Sequence, residues 1–288
     1  MDTRDVLTRC ALCPGICVAS CPIYRLTKIR AFAPNNLARI ALRFLNGESG
    51  YAEALWACTL CGACTDNCPL ENPLGETLRI VRGLSASGGE TTRIEPILIS
   101  DSSPGYQVLF LTRKPPSNRL MGKLGLEHRV FWLNSDLLYS VYYNGLTLNP
   151  DLRGYHVIIH EDYDAAAPLS RDDKSRLMHS VEFMHLKHIT LTLDTPYILH
   201  IPCKVQGELN ENIVTGVMGE PSKTIKTCLG GGGGFPEAFP VESLEVAKGV
   251  LGGEQEPVIV TLCERARDLL LRLGYRVYTP LDLLAGGY

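Results

Sequence analysis

The chain has 288 residues, 45% of them hydrophobic and 20% charged, with a formal net charge of −3, which suits one large globular domain or two modest ones. Near-balanced charge gives no electrostatic reason to expect nucleic acid or an anionic membrane as a partner. No apolar run reaches the roughly 20 residues of a membrane-spanning helix, and "MDTRDVLTRC" has no apolar core or cleavage site. The expected location is therefore the cytoplasm, with contact at the inner face of a membrane only through a partner.

Eleven cysteines stand out, eight of them within the first 68 residues and three, Cys203, Cys228 and Cys263, in the last third. A disulfide framework belongs to short secreted chains, so metal binding is the better reading. The first group, "CALCPGICVASCP", holds Cys10, Cys13, Cys17 and Cys21, followed by Pro22. It has one residue more than the bacterial ferredoxin spacing, and Pro14-Gly15 can absorb the insertion in a turn.

The next segment, "PNNLARIALRFLNG", reads as a helix with Asn35 or Asn36 as N-cap. Leu37, Ile40, Ala41, Phe44 and Leu45 form one apolar face, and Gly47 is a natural stop. A short helix around "YAEALWA" leads into the second group, "CTLCGACTDNCP", with Cys58, Cys61, Cys64, Cys68 and then Pro69. This spacing is the bacterial 4Fe–4S pattern, in which the fourth cysteine ligates the other cluster of a pair. Crossed in that way, Cys10, Cys13, Cys17 and Cys68 would hold one cluster, and Cys58, Cys61, Cys64 and Cys21 the other. Zinc also takes paired C-x2-C knuckles, but two quartets each ending in Cys-Pro favour iron–sulfur. A third helix, "PLGETLRIVRGL", places Leu74, Leu78 and Val81 on one side. Trp56 and Phe44 are expected to pack in the core. With 36 residues between Cys21 and Cys58, the module is α-helical and not the compact β-hairpin ferredoxin.

Residues 89–105 read as a linker. Beyond it, "YQVLFLT", "HRVFWL", "YHVIIH", "HITLTL", "YILHIP" and "EPVIVTLC" look like strands. They alternate with helical patterns in "SRDDKSRLMHSVEFMHL", "PVESLEVAKGVLG" and "ERARDLLLRLG". The fold class expected is therefore an α-helical ferredoxin module (1–88) followed by an α/β domain with a mainly parallel sheet (106–288). "TCLGGGGGFPEAFP" is not a Walker loop, because no Gly-Lys-Ser/Thr follows. His179, His185 and His188 lack a clean i, i+4 pair and are expected at the surface or in packing.

The stretch from "SCPIYRLTKIR" to "CTLCGACTDNCP" resembles the iron–sulfur subunits of heterodisulfide reductase, glycolate oxidase, lactate-utilisation and anaerobic glycerol-3-phosphate dehydrogenase complexes. Those join a helical two-cluster ferredoxin to a cysteine-rich CCG domain. "LHIPCKVQG", "TCLGGGGGFPEAFP" and "VIVTLCERA" are similar to that domain's elements, in a degenerate form. Thr227 stands for its first paired cysteine, Leu229 for its first glycine and Ala266 for the last cysteine. The resemblance implies up to five ligands to a further cluster, of which Cys203, Cys228 and Cys263 remain. Three readings stay open: a third iron–sulfur cluster with one open iron, a site completed by His200 or a partner subunit, or thiols without a metal.

Two 4Fe–4S clusters in one module make a one-electron relay. The chain has no flavin or nicotinamide fingerprint and no general-base constellation, so the expected function is an electron-transfer subunit. It would relay single electrons between a flavoprotein dehydrogenase or other redox subunit and an acceptor such as a quinone, a disulfide or a carrier. The alternatives are a heterodisulfide-reductase-like catalytic subunit with a C-terminal cluster, and a non-redox scaffold stapled by its clusters.

Overall fold

The computed structural model describes residues 2–85, 95–101, 105–145, 152–167, 169, 171–203, 209–252 and 258–286. The chain forms two compact units. The first comprises Met1–Glu90, Tyr143–Leu146 and Thr227–Glu254; the second comprises Thr91–Tyr142, Thr147–Lys226 and Gln255–Tyr288.

The first unit is helical. Its longer helices are Thr3–Leu12, Pro34–Leu45, Leu74–Ser85 and Pro240–Leu251, joined by shorter turns such as Pro22–Thr27 and the 3-10 helix Ala52–Ala57. The Pro34–Leu45 helix starts two or three residues earlier than expected, with Ala33 as N-cap and Pro34 at its first position. Proline has φ preset for a helix and no N–H to leave unsatisfied there. Asn36, freed from capping, donates to the Arg30 carbonyl at 2.7 Å. The apolar face is the one expected: Leu37, Ala38 and Ala41 are buried, and Ile40, Phe44 and Leu45 pack beside them. Leu7, Ile23, Leu55, Leu74, Leu78 and Val81 complete this core together with Phe235 and Val246 from far along the chain.

That last contribution differs from a single α/β domain over 106–288. Thr227–Glu254 belongs to the helical unit, because its aromatic residues close that unit's core. Phe32 meets Phe239 at 4.8 Å and Phe235 at 6.1 Å between ring centroids, both edge-on, a favourable aromatic geometry.

The second unit contains two sheets among the described residues. The first sheet has strands β1 (Ile97–Asp101), β2 (Gln107–Thr112), β3 (Arg129–Asn134), β4 (Val157–His160) and β5 (Leu177–His179) in the order β1-β3-β2-β4-β5. The second has β6 (Tyr197–His200), β7 (Lys223–Ile225), β8 (Val258–Thr261) and β9 (Arg276–Tyr278) in the order β7-β6-β8-β9. All pairs are parallel except β1 with β3. Leaving β1 aside, both sheets repeat one winding: second strand, first, third, fourth. In both, the fourth strand runs into a helix with a capping box, His179 with Glu182 and Thr279 with Asp282. The later segments of the helical unit, Tyr143–Leu146 and Thr227–Glu254, both come from the connection between the second and third strands of a repeat. The unit is thus a structural duplication. Its halves share one core that includes Val108, Phe110, Ile159, Leu199 and Val260.

Three elements depart from expectation. Within 89–105, read as a linker, Ile97–Asp101 forms β1 and pairs antiparallel with β3; residues 86–94 and 102–104 lie outside the described residues. "SRDDKSRLMHSVEFMHL" is not one helix: Arg171–Lys174 and Ser180–Leu186 are helical, with β5 between them. His179 breaks it, since its Nδ1 accepts from Val181 N–H while Glu182 accepts from His179 N–H. "HITLTL" makes no strand. It runs beside the Glu211–Met218 helix, Leu191 N–H donating to the Val217 carbonyl at 2.7 Å, and tucks Ile189, Leu191 and Leu193 against the core.

The glycine run now has a physical reason. Gly233 has φ +64°, and a Cβ there would lie 2.6 Å from Thr59 Cα and closer still to the Cys58 carbonyl oxygen. Backbone meets backbone here, and only glycine allows it. Gly233→Ala should therefore cost about 2–5 kcal/mol, the sum of left-handed strain and overpacking. Gly47→Ala is the control: φ is +91° but nothing lies within 4 Å, so about 1–2 kcal/mol of strain alone is expected. Denaturant midpoints of the two variants measure the difference.

Candidate metal centre

Cys10 lies on the Thr3–Leu12 helix, Cys17 and Cys64 on the short helices Ile16–Ser20 and Ala63–Asp66, and the turns between the cysteines need left-handed backbone. Gly15 has φ +91°, Gly62 +81° and Leu60 +57°. The Leu60 strain buys a turn between Cys58 and Cys61, with the leucine side chain buried. None of the eight N-terminal cysteines is in a disulfide, and all are partly exposed.

The structure separates them into two neighbourhoods. Cys21, Cys58, Cys61 and Cys64 line one apolar cavity, walled by Ile23, Phe32, Leu37, Leu74 and Leu78. Cys21 comes from the first motif and the other three from the second. Burial pushes the Cys21 thiol up to about 12, and the nearby thiols of Cys61 and Cys58 add to it. Cys64 is raised further, again chiefly by burial and then by Cys58 and Cys61.

In the other neighbourhood, burial raises Cys10, and Cys17, Cys68 and Cys13 press in the same direction. Cys17 is raised by burial, then by Cys68 and Cys13. Cys13 is lowered by the N–H groups of Gly15 and Ile16, the former 3.4 Å from its sulfur. Asn72 is buried and donates its amide to Cys10 Sγ and to the Val6 carbonyl, both at 2.9 Å.

These surroundings fit iron–sulfur ligation: thiols exchanged between motifs, N–H donors aimed at sulfur, and apolar walls. Among the described residues no three His, Cys, Asp or Glu side chains converge as they would on a single metal ion. A cubane is ligated differently, each thiolate on a separate iron around a core.

The remaining cysteines divide between the units. Cys228 is in the helical unit, buried, with its thiol 3.6 Å from Thr59 Oγ1 and accepting from Gly230 N–H at 3.4 Å. Cys203 and Cys263 are in the second unit, just past the ends of the neighbouring strands β6 and β8, where His200 is in register with Thr261. His200 Nδ1 and Thr261 Oγ1 are 2.8 Å apart. Cys263 caps the Glu264–Arg272 helix, its sulfur accepting from Ala266 N–H at 3.5 Å. His185 and His188 are exposed as expected, and His179 is buried.

Sequence reasoning missed two kinds of residue. Arg82 is fully buried although it was given no role. Its position was legible, since Leu74, Leu78 and Arg82 follow at i, i+4 and i+8 on the apolar stripe. The second kind is a polar cluster at the carboxyl edge of the second unit. Glu161, after β4, accepts from Ser180 Oγ and Leu281 N–H, both at 2.9 Å. Glu264 accepts from Arg113 N–H at 3.0 Å and Ser135 Oγ at 3.1 Å. Both carboxyls line a cavity of about 630 Å³. Arg265 bridges Asp162 at 3.0 Å and Asp136 at 2.6 Å. His160 and His179 stack edge-on at 5.4 Å, both buried.

Residues 6–72 match the family model of the 4Fe-4S dicluster domain, a stretch that contains both quartets. The chain is 32% identical over 112 residues to the uncharacterized electron transport protein YkgF of Escherichia coli (strain K12), covering 36% of this chain and 23% of that protein. It is 37% identical over 73 residues to lactate utilization protein B of Macrococcus caseolyticus (strain JCSC5402), 24% of this chain and 14% of that one. With lactate utilization protein B of Shouchella clausii (strain KSM-K16) it shares 33% identity over 92 residues, 31% of this chain and 18% of that one. The chain thus spans less than a quarter of the length of these curated relatives. No solved structure matches. No helix among the described residues is long and apolar enough to cross a membrane.

The buried titratable groups of the second unit set a pH dependence. Burial, then Glu264 and Asp282, pushes Glu161 up to about 8; burial pushes Glu264 up to about 7. The folded state therefore holds protons that the unfolded chain releases, and stability falls as pH rises from about 4.5 through about 8. His160 is lowered by burial to about 3, so its contribution is lost only as pH falls below about 6.5. Above that pH the carboxyls act without it. Urea midpoints should decline between pH 6.5 and 8.5, and Glu161→Gln should flatten the decline. A flat wild-type profile would contradict it.

Proposed function

We propose that the chain is an electron-transfer subunit that relays single electrons through two 4Fe–4S clusters. In this reading Cys21, Cys58, Cys61 and Cys64 hold one, and Cys10, Cys13, Cys17 and Cys68 hold the other. The observation that carries it is the crossing: Cys21, remote in sequence from the second motif, shares an apolar cavity with three of that motif's cysteines. Bound iron–sulfur groups would supply one-electron redox chemistry. The protein's part is to orient eight thiols, aim Asn72 and Gly15 donors at sulfur and keep water from the inner cavity. It needs no ligand role for Cys203, Cys228 or Cys263.

The donor and acceptor in this reading are a flavoprotein dehydrogenase or other redox subunit and a quinone, disulfide or carrier. Support comes from the relatives, whose names are an electron transport protein and lactate utilization proteins.

Reconstituted without oxygen, the full chain should bind about eight irons, four for each cubane. Zinc alone, or about four irons, would sink the two-cluster reading. Cys21→Ser tests the crossing. It should disturb the electron-paramagnetic-resonance signal that Cys61→Ser also disturbs, and spare the one lost in Cys13→Ser. The reverse pattern would refute the assignment.

A further inference from the structure

Arg82 is 0% exposed. Its guanidinium donates to the carbonyl oxygens of Leu55 and Cys58, each at 2.6 Å, of Gly233 at 2.8 Å and of Tyr143 at 3.4 Å. It lies 5.7 Å from the centroid of the Trp56 ring. An arginine side chain keeps its charge in any protein environment. A buried cationic group is thus hydrogen-bonded to the backbone of Cys58 itself.

We propose that Arg82 is a positioning residue that tunes redox potential, its charge favouring the reduced form of the centre held by Cys21, Cys58, Cys61 and Cys64 and leaving the other centre largely unaffected. The proposal rests on the relay reading above. Reduction adds one negative charge, and a buried cation stabilises the added charge more than it stabilises the oxidised form. Burial prevents water and salt from screening this effect. Around the other quartet the arrangement differs. Cys10 takes its hydrogen bond from the neutral Asn72 amide. Arg39, which donates to the Ala11 carbonyl at 2.9 Å, is exposed and therefore screened.

A purely mechanical latch is the competing role, because the same hydrogen bonds tie Cys58 to Gly233. Arg82→Gln and Arg82→Lys separate the two. Both shorten the side chain and lose carbonyl contacts, but only lysine keeps the charge. The full chain is reconstituted anaerobically, its iron content measured, and each centre titrated by electron paramagnetic resonance, with Cys21→Ser and Cys13→Ser assigning the signals. In Arg82→Gln the reduction equilibrium of the Cys21/58/61/64 centre should fall at least tenfold, about 59 mV for one electron, with the other centre within threefold. Arg82→Lys should stay within threefold of wild type at both.

An unchanged potential in iron-loaded Arg82→Gln overturns the proposal and leaves the relay standing. Equal shifts in the glutamine and lysine variants also overturn it, leaving a latch. Should the glutamine variant fail to hold iron, a tenfold fall in iron-loaded Arg82→Lys overturns it, and retention of the wild-type potential there supports it. Wild-type chain without redox-active iron ends both readings.

Discussion

The guanidinium of Arg82 is the point on which the helical unit is organised. A buried charge is costly unless it is well solvated by fixed dipoles, and the carbonyls that solvate this one come from Leu55, Cys58, Tyr143 and Gly233. Bringing four backbone groups around one side chain forces main chains to touch. Glycine is therefore placed where they do: Gly233 against Cys58 and Thr59, and Gly83 against Gly145, where a Cβ would lie 2.5 Å from the carbonyl oxygen. A segment more than a hundred residues downstream thus returns to wall the cysteine loop, and its Phe235 and Val246 join the core.

The two cysteine neighbourhoods offer different media. Around Cys10, Cys13, Cys17 and Cys68 the polar donors are close, and Cys13 is shifted down by backbone N–H groups. Around Cys21 and Cys64 the walls are apolar and the thiols resist ionisation. Thiolates become favourable in such a place when a cation compensates them, so a metal held at the inner cavity would be tightly linked to proton release. Burial and hydrogen bonds to sulfur are also the terms that set cluster potentials, which gives two similar motifs unlike electronic surroundings.

The second unit is a duplicated parallel sheet whose carboxyl edges carry its polar residues. Strand ends in both halves place His160, Glu161, His200 and Thr261 at that edge, and helix starts meet them: Glu264 N–H donates to the Glu161 carbonyl at 3.2 Å and Arg265 reaches Asp162. Acids shifted up and histidines shifted down by the same burial titrate in opposite senses. Both are neutral in the folded state around pH 6.5, the form that burial favours.

Much of this was legible in the residues. Cysteine spacing marked two quartets, because spacing within a motif is local, and the structure gathers Cys21 with Cys58, Cys61 and Cys64 around one cavity. The apolar stripe from Leu37 to Leu45 and the β-rich runs marked a helical module before an α/β unit, since period and composition are also local. What spacing cannot show is which distant backbone comes to lie beside a loop. The glycine run looked like part of the α/β domain, β5 was hidden in a helical pattern, and the apolar stripe that buries Arg82 does not say what meets its guanidinium. Each was decided by packing: the aromatic pair Phe32–Phe239, the edge of β4, and four carbonyls converging on one guanidinium. The cysteine pattern was written in the sequence, whereas the surroundings of those thiols exist only once remote segments are brought together.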